Sequence, residues 1–119
     1  MRIKRVLVPL LRDEVAPRFD LASEALVADV DLDSGTFSTS DYLLPHSSAD
    51  AMCDLALRRD VQVVICGAVD EEYYHYLRWK RVEVLDNVAA TAQDALQRFA
   101  KGALKAGDIL FPREDGHAR

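Results

Sequence analysis

An α/β fold built on one mixed sheet is predicted by three features of the sequence. Short apolar runs, continuous or of period two, come first. Helical periodicity begins only after Pro45, and from there helical and apolar stretches alternate. The expected order is β-β-β-α-β-α-β-α, an antiparallel start continued by helix-connected parallel strands, with five strands in the sheet. At 119 residues, half of them apolar and 29% charged, the chain is expected to form one domain whose core needs no metal or disulfide staple.

The elements follow in order. Ile3 to Leu10 (IKRVLVPL) is an apolar run closed by Pro9, and proline belongs at a strand end because it cannot donate to a ladder. A loop containing Pro17, Arg18, Phe19 and Asp20 leads to SEALVADVDL, where Ala25, Val27 and Asp29 alternate with Leu26, Ala28 and Val30. The acidic turn DLDSG, with Gly35, joins it to TFSTSDYLL, a more polar strand expected near the sheet edge.

In HSSADAMCDLALRR, Ser47 is the expected N-cap with Asp50 three residues on, and Ala49, Met52, Cys53 and Ala56 share a helical face. DVQVVICGAV reads as a strand buried on both sides. A helix over about 70–80, a short strand RVEVL and a final helix complete the order. Thr91 with Asp94 starts that helix, Ala92, Ala95, Leu96, Phe99 and Ala103 form its apolar stripe, and Gly102 ends it. Residues 105–119, ending PREDGHAR, are expected to be a loosely held tail.

Composition narrows the function. The longest apolar runs fall well short of the roughly 18 residues of a membrane span, and the opening Met1 to Arg5 leads into a strand rather than a signal-peptide core. A cytoplasmic protein without membrane contact is expected. Cys53 and Cys66 form no CxxC pair and are expected to stay reduced. The net charge of −5 argues against nucleic acid as a partner, since phosphate contact needs a concentrated basic face. No HExxH, P-loop, GxSxG or triad order is present, so no enzyme is expected.

The wording of the landmarks carries a resemblance. VLVPL followed by VAPRFDLASEALVADVD is similar to a pattern of strand, loop and SPRFD-A before strand two. DVQVVICGAV resembles a DVVIAGGIG strand and turn, and VEVLDNVAATAQDALQRFAKGAL resembles a closing strand, loop, helix and Gly-x-Leu ending. These are the marks of the dinitrogenase iron-molybdenum cofactor biosynthesis family, and the likeness spans about residues 3 to 104.

The resemblance implies a three-layer, ribonuclease H-like fold over residues 1–104 and a non-catalytic role in nitrogen fixation. The protein would bind or carry an anionic iron-molybdenum-sulfur cluster, its precursor or a related molybdenum cluster, and pass it to or from a donor or acceptor protein. A nuclease on such a fold would need inward carboxylates around metal ions, and the first strand offers none between Ile3 and Leu11.

The residues expected to do this are Arg18, His46, Cys66 and Gly67, with His46 and Cys66 as metal ligands. A guanidinium suits multi-point contact with an anion, although Pro17, Phe19 and the Arg18–Asp20 pair also suit a purely structural crossing. His46 follows Pro45 in a loop expected at the carboxyl edge of the sheet, where it could ligate metal or stand as a plain surface imidazole. Thiolate is the preferred ligand of iron-sulfur species, yet a lone buried cysteine behaves as a small hydrophobe.

One feature departs from the family pattern. Asp70, Glu71 and Glu72 stand where the family's turn leaves helix-start amides open to an anion. The same helix carries Tyr73, Tyr74, His75, Tyr76 and Trp79, more aromatic surface than one face buries. A homodimer through Tyr73, Tyr74, Tyr76 and Trp79 is one expectation. A metal-free interaction or regulatory module acting through residues 70–81 is the alternative to cluster carriage.

Overall fold

A computed structural model describes residues 2–111. Strand β1 (Ile3–Leu11) turns through Arg12 and Asp13 into the two-residue strand β2 (Glu14–Val15), followed by a 3-10 turn at Phe19–Leu21. Strands β3 (Glu24–Asp31) and β4 (Thr36–Leu43) come next, then helix α1 (Ala49–Arg58), β5 (Val63–Ile65), α2 (Glu71–Trp79), β6 (Glu83–Leu85) and α3 (Ala92–Ala100).

The sheet is mixed and six-stranded, in the order β4-β3-β1-β5-β6, with β2 paired to the end of β1. β3 lies between β1 and β4 and runs antiparallel to both, whereas β5 and β6 run parallel to β1. The expectation of five strands is corrected by β2, which pairs Leu10 with Val15 and Leu11 with Glu14. Two residues carry too little periodicity to be visible as a strand.

The pleat sorts the apolar side chains into two layers of core. On one face Leu7, Ala25, Val27 and Val64 pack against Met52, Cys53 and Ala56 of α1 and Leu77 of α2. On the other, Val6, Val8, Leu26, Ala28 and Ile65 pack against Ala92, Ala95, Leu96 and Ala100 of α3. Helix, sheet and helix thus form three layers, and β3 is buried on both faces at its centre, so it cannot read as strictly amphipathic.

Local chemistry sets the helix ends. The N-cap of α1 is Ser48, one residue beyond the expected Ser47, its hydroxyl accepting from the Ala51 amide at 3.0 Å. Thr91 caps α3 as expected, accepting from the Asp94 amide at 3.1 Å, and Gly102 follows its end with a φ of 73°. Ala100, rather than Ala103, completes the buried stripe of α3.

Two expected spans change. The apolar run around β5 is a strand only over Val63–Ile65, with the Cys66 amide still bonded to the Leu85 carbonyl before Gly67 to Val69 form the turn into α2. Residues 105–111, expected to belong to a loose tail, are bonded back onto the loop between β6 and α3: the Gly107 amide donates to Asp86, and the amides of Ala89 and Leu110 exchange with Asp108 and Ala89. The rest of that expected tail, 112–119, lies outside the described residues. Among the described residues no helix is long and apolar enough to cross a membrane.

Candidate functional site

The carboxyl ends of β1, β5 and β6 open on one rim of the sheet. β4 leaves the sheet there too, since Leu43 pairs with Glu24 and Glu24 with Leu10 at the end of β1. Every predicted site residue belongs to a segment that starts or turns at this rim.

The Pro17–Asp20 loop is fastened to the turn after β5. The Ala68 amide donates to the Pro17 carbonyl and the Phe19 amide donates to the Ala68 carbonyl, both at 2.8 Å, so Arg18 and Ala68 form a parallel bridge. Gly67 makes this approach possible. A Cβ there would lie 2.4 Å from the Ala16 carbonyl oxygen and 2.5 Å from that of Pro17, both rigid backbone. Phe19 is fully buried under the loop in the α1-side core. The loop therefore has the structural function foreseen for it, and it holds the Arg18 side chain outward.

Arg18 is half exposed, and its Nε and Nη2 donate to the two oxygens of Asp20 at 3.0 and 2.8 Å. The Asp20 carboxylate, with Asp70 further off, raises the guanidinium above its ordinary pKa, so the charge is permanent but already partly answered.

His46 is exposed in the loop between β4 and α1. That loop is tied to the rim by the Leu44 amide, which donates to the Ser23 carbonyl at 2.8 Å. Two residues further on, His46 is within roughly 7 Å of chain from that anchor. No hydrogen bond or ion pair joins it to Arg18, Cys66 or Gly67 among the described residues.

Cys66 does not reach the rim surface. Its side chain is fully buried, points into the α1-side core with Cys53, and both thiols are free. Burial pushes the Cys66 thiol up to about 12, with Asp86 and Cys53 adding to the shift, and burial pushes Cys53 to about 12 as well. A protonated, enclosed thiol is not a thiolate ligand. The strand-end position suggested an edge residue, but Cys66 continues the alternation of β5, and its sulfur lies on the same covered face as Val64.

Among the described residues, no three His, Cys, Asp or Glu side chains gather in a way that could hold a metal ion. A closed ligand cage for a cluster, which would need about four thiolates, is not formed by the described residues.

A residue that sequence reasoning missed completes the rim. Arg12, at the tip of the β1–β2 turn with a φ of 60°, lines a cleft of about 230 Å³ together with Leu10, Pro17, Arg18, Leu21 and Ser23. No ion pair engages Arg12 among the described residues. The lining of the cleft is largely apolar, Arg12 and Arg18 are its two basic residues, and Glu24 is its one carboxylate. Its signal in the sequence was the basic–acidic pair Arg12-Asp13 between two apolar stretches, a short turn that was absorbed into a longer loop.

The start of α2 is as acidic as the sequence foretold, with Asp70, Glu71 and Glu72 at the surface and no side-chain cap on its first amides. Of its aromatics, Tyr73 and Tyr74 are partly buried against the core, whereas Tyr76 is exposed and Trp79 is 75% exposed. The Lys80 ammonium lies over both exposed rings, 5.8 Å from Tyr76 and 4.9 Å from Trp79.

The sequence matches the family described as dinitrogenase iron-molybdenum cofactor over residues 4–102. No curated protein matches it at a significant level. Among solved structures it is similar to the protein PH0822, with 16% identity, a TM-score of 0.74 and 86% of this chain covering 94% of that one. It is also similar to a provisionally assigned dinitrogenase from Methanocaldococcus jannaschii (18% identity, TM-score 0.72, 88% and 95% covered). A third is the apo orange protein of Desulfovibrio gigas (21% identity, TM-score 0.69, 88% and 93% covered). At these identities the structural likeness speaks for the fold alone.

Proposed function

The chain belongs to the dinitrogenase iron-molybdenum cofactor family, and from that premise we propose that it is a non-catalytic, cytoplasmic accessory protein of nitrogen fixation or a related process, whose cargo is an anionic metal-sulfur cluster. The cargo is an iron-molybdenum-sulfur cluster, its precursor or a related molybdenum cluster, received from or given to another protein. The ribonuclease H-like fold belongs to the same proposal; an antiparallel β1-β3-β4 unit continued by parallel β5 and β6 supports it.

The observation that carries this reading is the cleft between Arg12 and Arg18. Its guanidinium groups offer planar donors to sulfide or oxo edges, and its leucine lining lowers the competition from water. His46, on the neighbouring loop, supplies an imidazole as the single metal ligand, and Gly67 lets the Arg18 loop sit where it does. Cys66 is assigned to packing. Contact through two cations and one imidazole is weak enough to let a cargo leave.

The test is anaerobic reconstitution with iron, molybdate and sulfide, then desalting and metal analysis. Arg12→Ala, Arg18→Ala and His46→Ala should each lower the retained metal several-fold with an unchanged circular dichroism spectrum. Retention equal to the unaltered protein in all three removes the cleft as the site.

A second reading has its own support. Trp79 and Tyr76 are presented outward beside Asp70–Glu72, which repel an anion, so α2 would serve a metal-free interaction module. A protein that retains no metal, yet loses a partner on Trp79→Ala, would establish that reading in place of the first.

A further inference from the structure

We propose that the free edge of β4 is a self-association surface: β4 pairs antiparallel with β4 of a second copy, in the one register that sets Ser40 opposite its two-fold mate. The site lies on the far side of the sheet from α2 and does not depend on the cargo.

The bonding pattern fixes which backbone groups are free. The Leu44 amide donates to the Ser23 carbonyl, so Ser23 and Leu44 are a hydrogen-bonded pair of the antiparallel ladder. Such pairs recur every second residue, which turns the backbone groups of Tyr42, Ser40, Ser38 and Thr36 toward β3. The amides and carbonyls of Phe37, Thr39, Asp41 and Leu43 therefore face outward along an edge with no neighbouring strand among the described residues.

This edge has none of the devices that protect edges. Its pairing with β3 runs without a bulge from Thr36 to Leu43, and it holds no Pro, no Lys and no Arg. Its one charge is Asp41. The opposite edge, β6, is only three residues long.

A two-fold axis normal to the sheet keeps each face on its own side, so only residues on one face can oppose each other. With Ser40 on the axis, Thr39 bonds Asp41 of the partner subunit and Phe37 bonds Leu43 of the partner subunit. All four outward-facing positions are satisfied. That register sets the partly buried Phe37 against Leu43, which is 81% exposed in the single chain. Both sit over the groove of about 720 Å³ that Leu10, Leu26 and Leu96 line beneath β4.

Charge selects the same register. Asp41 meets a threonine hydroxyl, whereas sliding by one step on the same face sets it against Phe37. The opposing cost is the net charge of −5 on each copy, which salt screens.

Sedimentation of the full chain at high ionic strength should give a mass rising with concentration toward twice 13.3 kDa. Thr39→Pro removes an outward amide and leaves the β3 bonds intact, and should hold the mass at that of one copy. Under mild oxidation Ser40→Cys should cross-link into a dimer, because a non-bonded antiparallel pair brings Cα atoms to about 4.5 Å, within disulfide reach. Thr39→Cys and Asp41→Cys should not, since each faces the other residue. The native thiols are buried and do not compete. A one-copy mass at every concentration, cross-linking through residue 39 or 41 in preference to 40, or a dimer that survives Thr39→Pro would each overturn the proposal.

Discussion

Two loops meet the same rim and are made on opposite plans. The Ala16–Ala22 loop is fixed at every level: backbone bonds to Ala68, a buried Phe19, and a glycine at the one place where a side chain cannot fit. The Leu44–Ser48 loop is held only at its ends, by Leu44 on Ser23 and by the Ser48 cap, with Pro45, His46 and Ser47 exposed between. One loop holds the Arg18 guanidinium at a set position, and the other leaves the His46 imidazole unconstrained. On the proposed reading, that division between a rigid and an adaptable contact would let a carrier both select and release.

The contrast can be broken hardest at Phe19. Phe19→Ala removes a fully buried ring from the fixed loop and should cost about 3–5 kcal/mol in a urea titration. Gly67→Ala comes next, at about 1–3 kcal/mol, because its methyl meets the Ala16 and Pro17 carbonyls at under 3 Å and the two segments must part.

High pH acts on the same fixed side. The Cys66 and Cys53 thiols titrate near 12 in the folded chain against an ordinary 9.0. Below about pH 9 both states hold the protons and stability is unaffected. Between about 9 and 12 the unfolded chain releases them and the folded one does not, so the melting temperature should fall steadily across that window. Iodoacetamide should fail to label either thiol in the native protein at pH 8 and label both once it is unfolded.

The smallest effects sharpen the comparison. Arg18→Ala and His46→Ala should leave the urea midpoint unchanged within error, since one loses an exposed ion pair and the other no bond at all. A clear loss of stability in His46→Ala would show that the second loop is built after all.

Much of this arrangement was legible in the sequence, for reasons particular to each segment. Periodicity revealed α3, whose buried stripe lies on one face, an apolar run revealed β3, and polarity marked β4 as an edge strand; Thr91 marked the α3 start by its hydroxyl. The Pro17–Asp20 wording marked a special crossing. Hidden from sequence were features set by distant partners: β2, whose two residues pair only because Leu10 and Leu11 lie alongside, and the fastening of 105–111 to Asp86 and Ala89. Connectivity alone brings the loops of Arg18 and His46 to one rim of the sheet, as the order of elements predicts. The burial of Cys66 is not legible in the sequence, since it depends on how far the pleat runs, and the short Arg12-Asp13 turn is hard to separate from the longer loop that follows it.

The brevity of β6 decides how far assembly can go. With only three residues on that side, a copy has one extendable flank, and an isologous contact uses up that flank in both molecules at once. Growth halts at two, so the chain can leave its long polar border unguarded without inviting fibres.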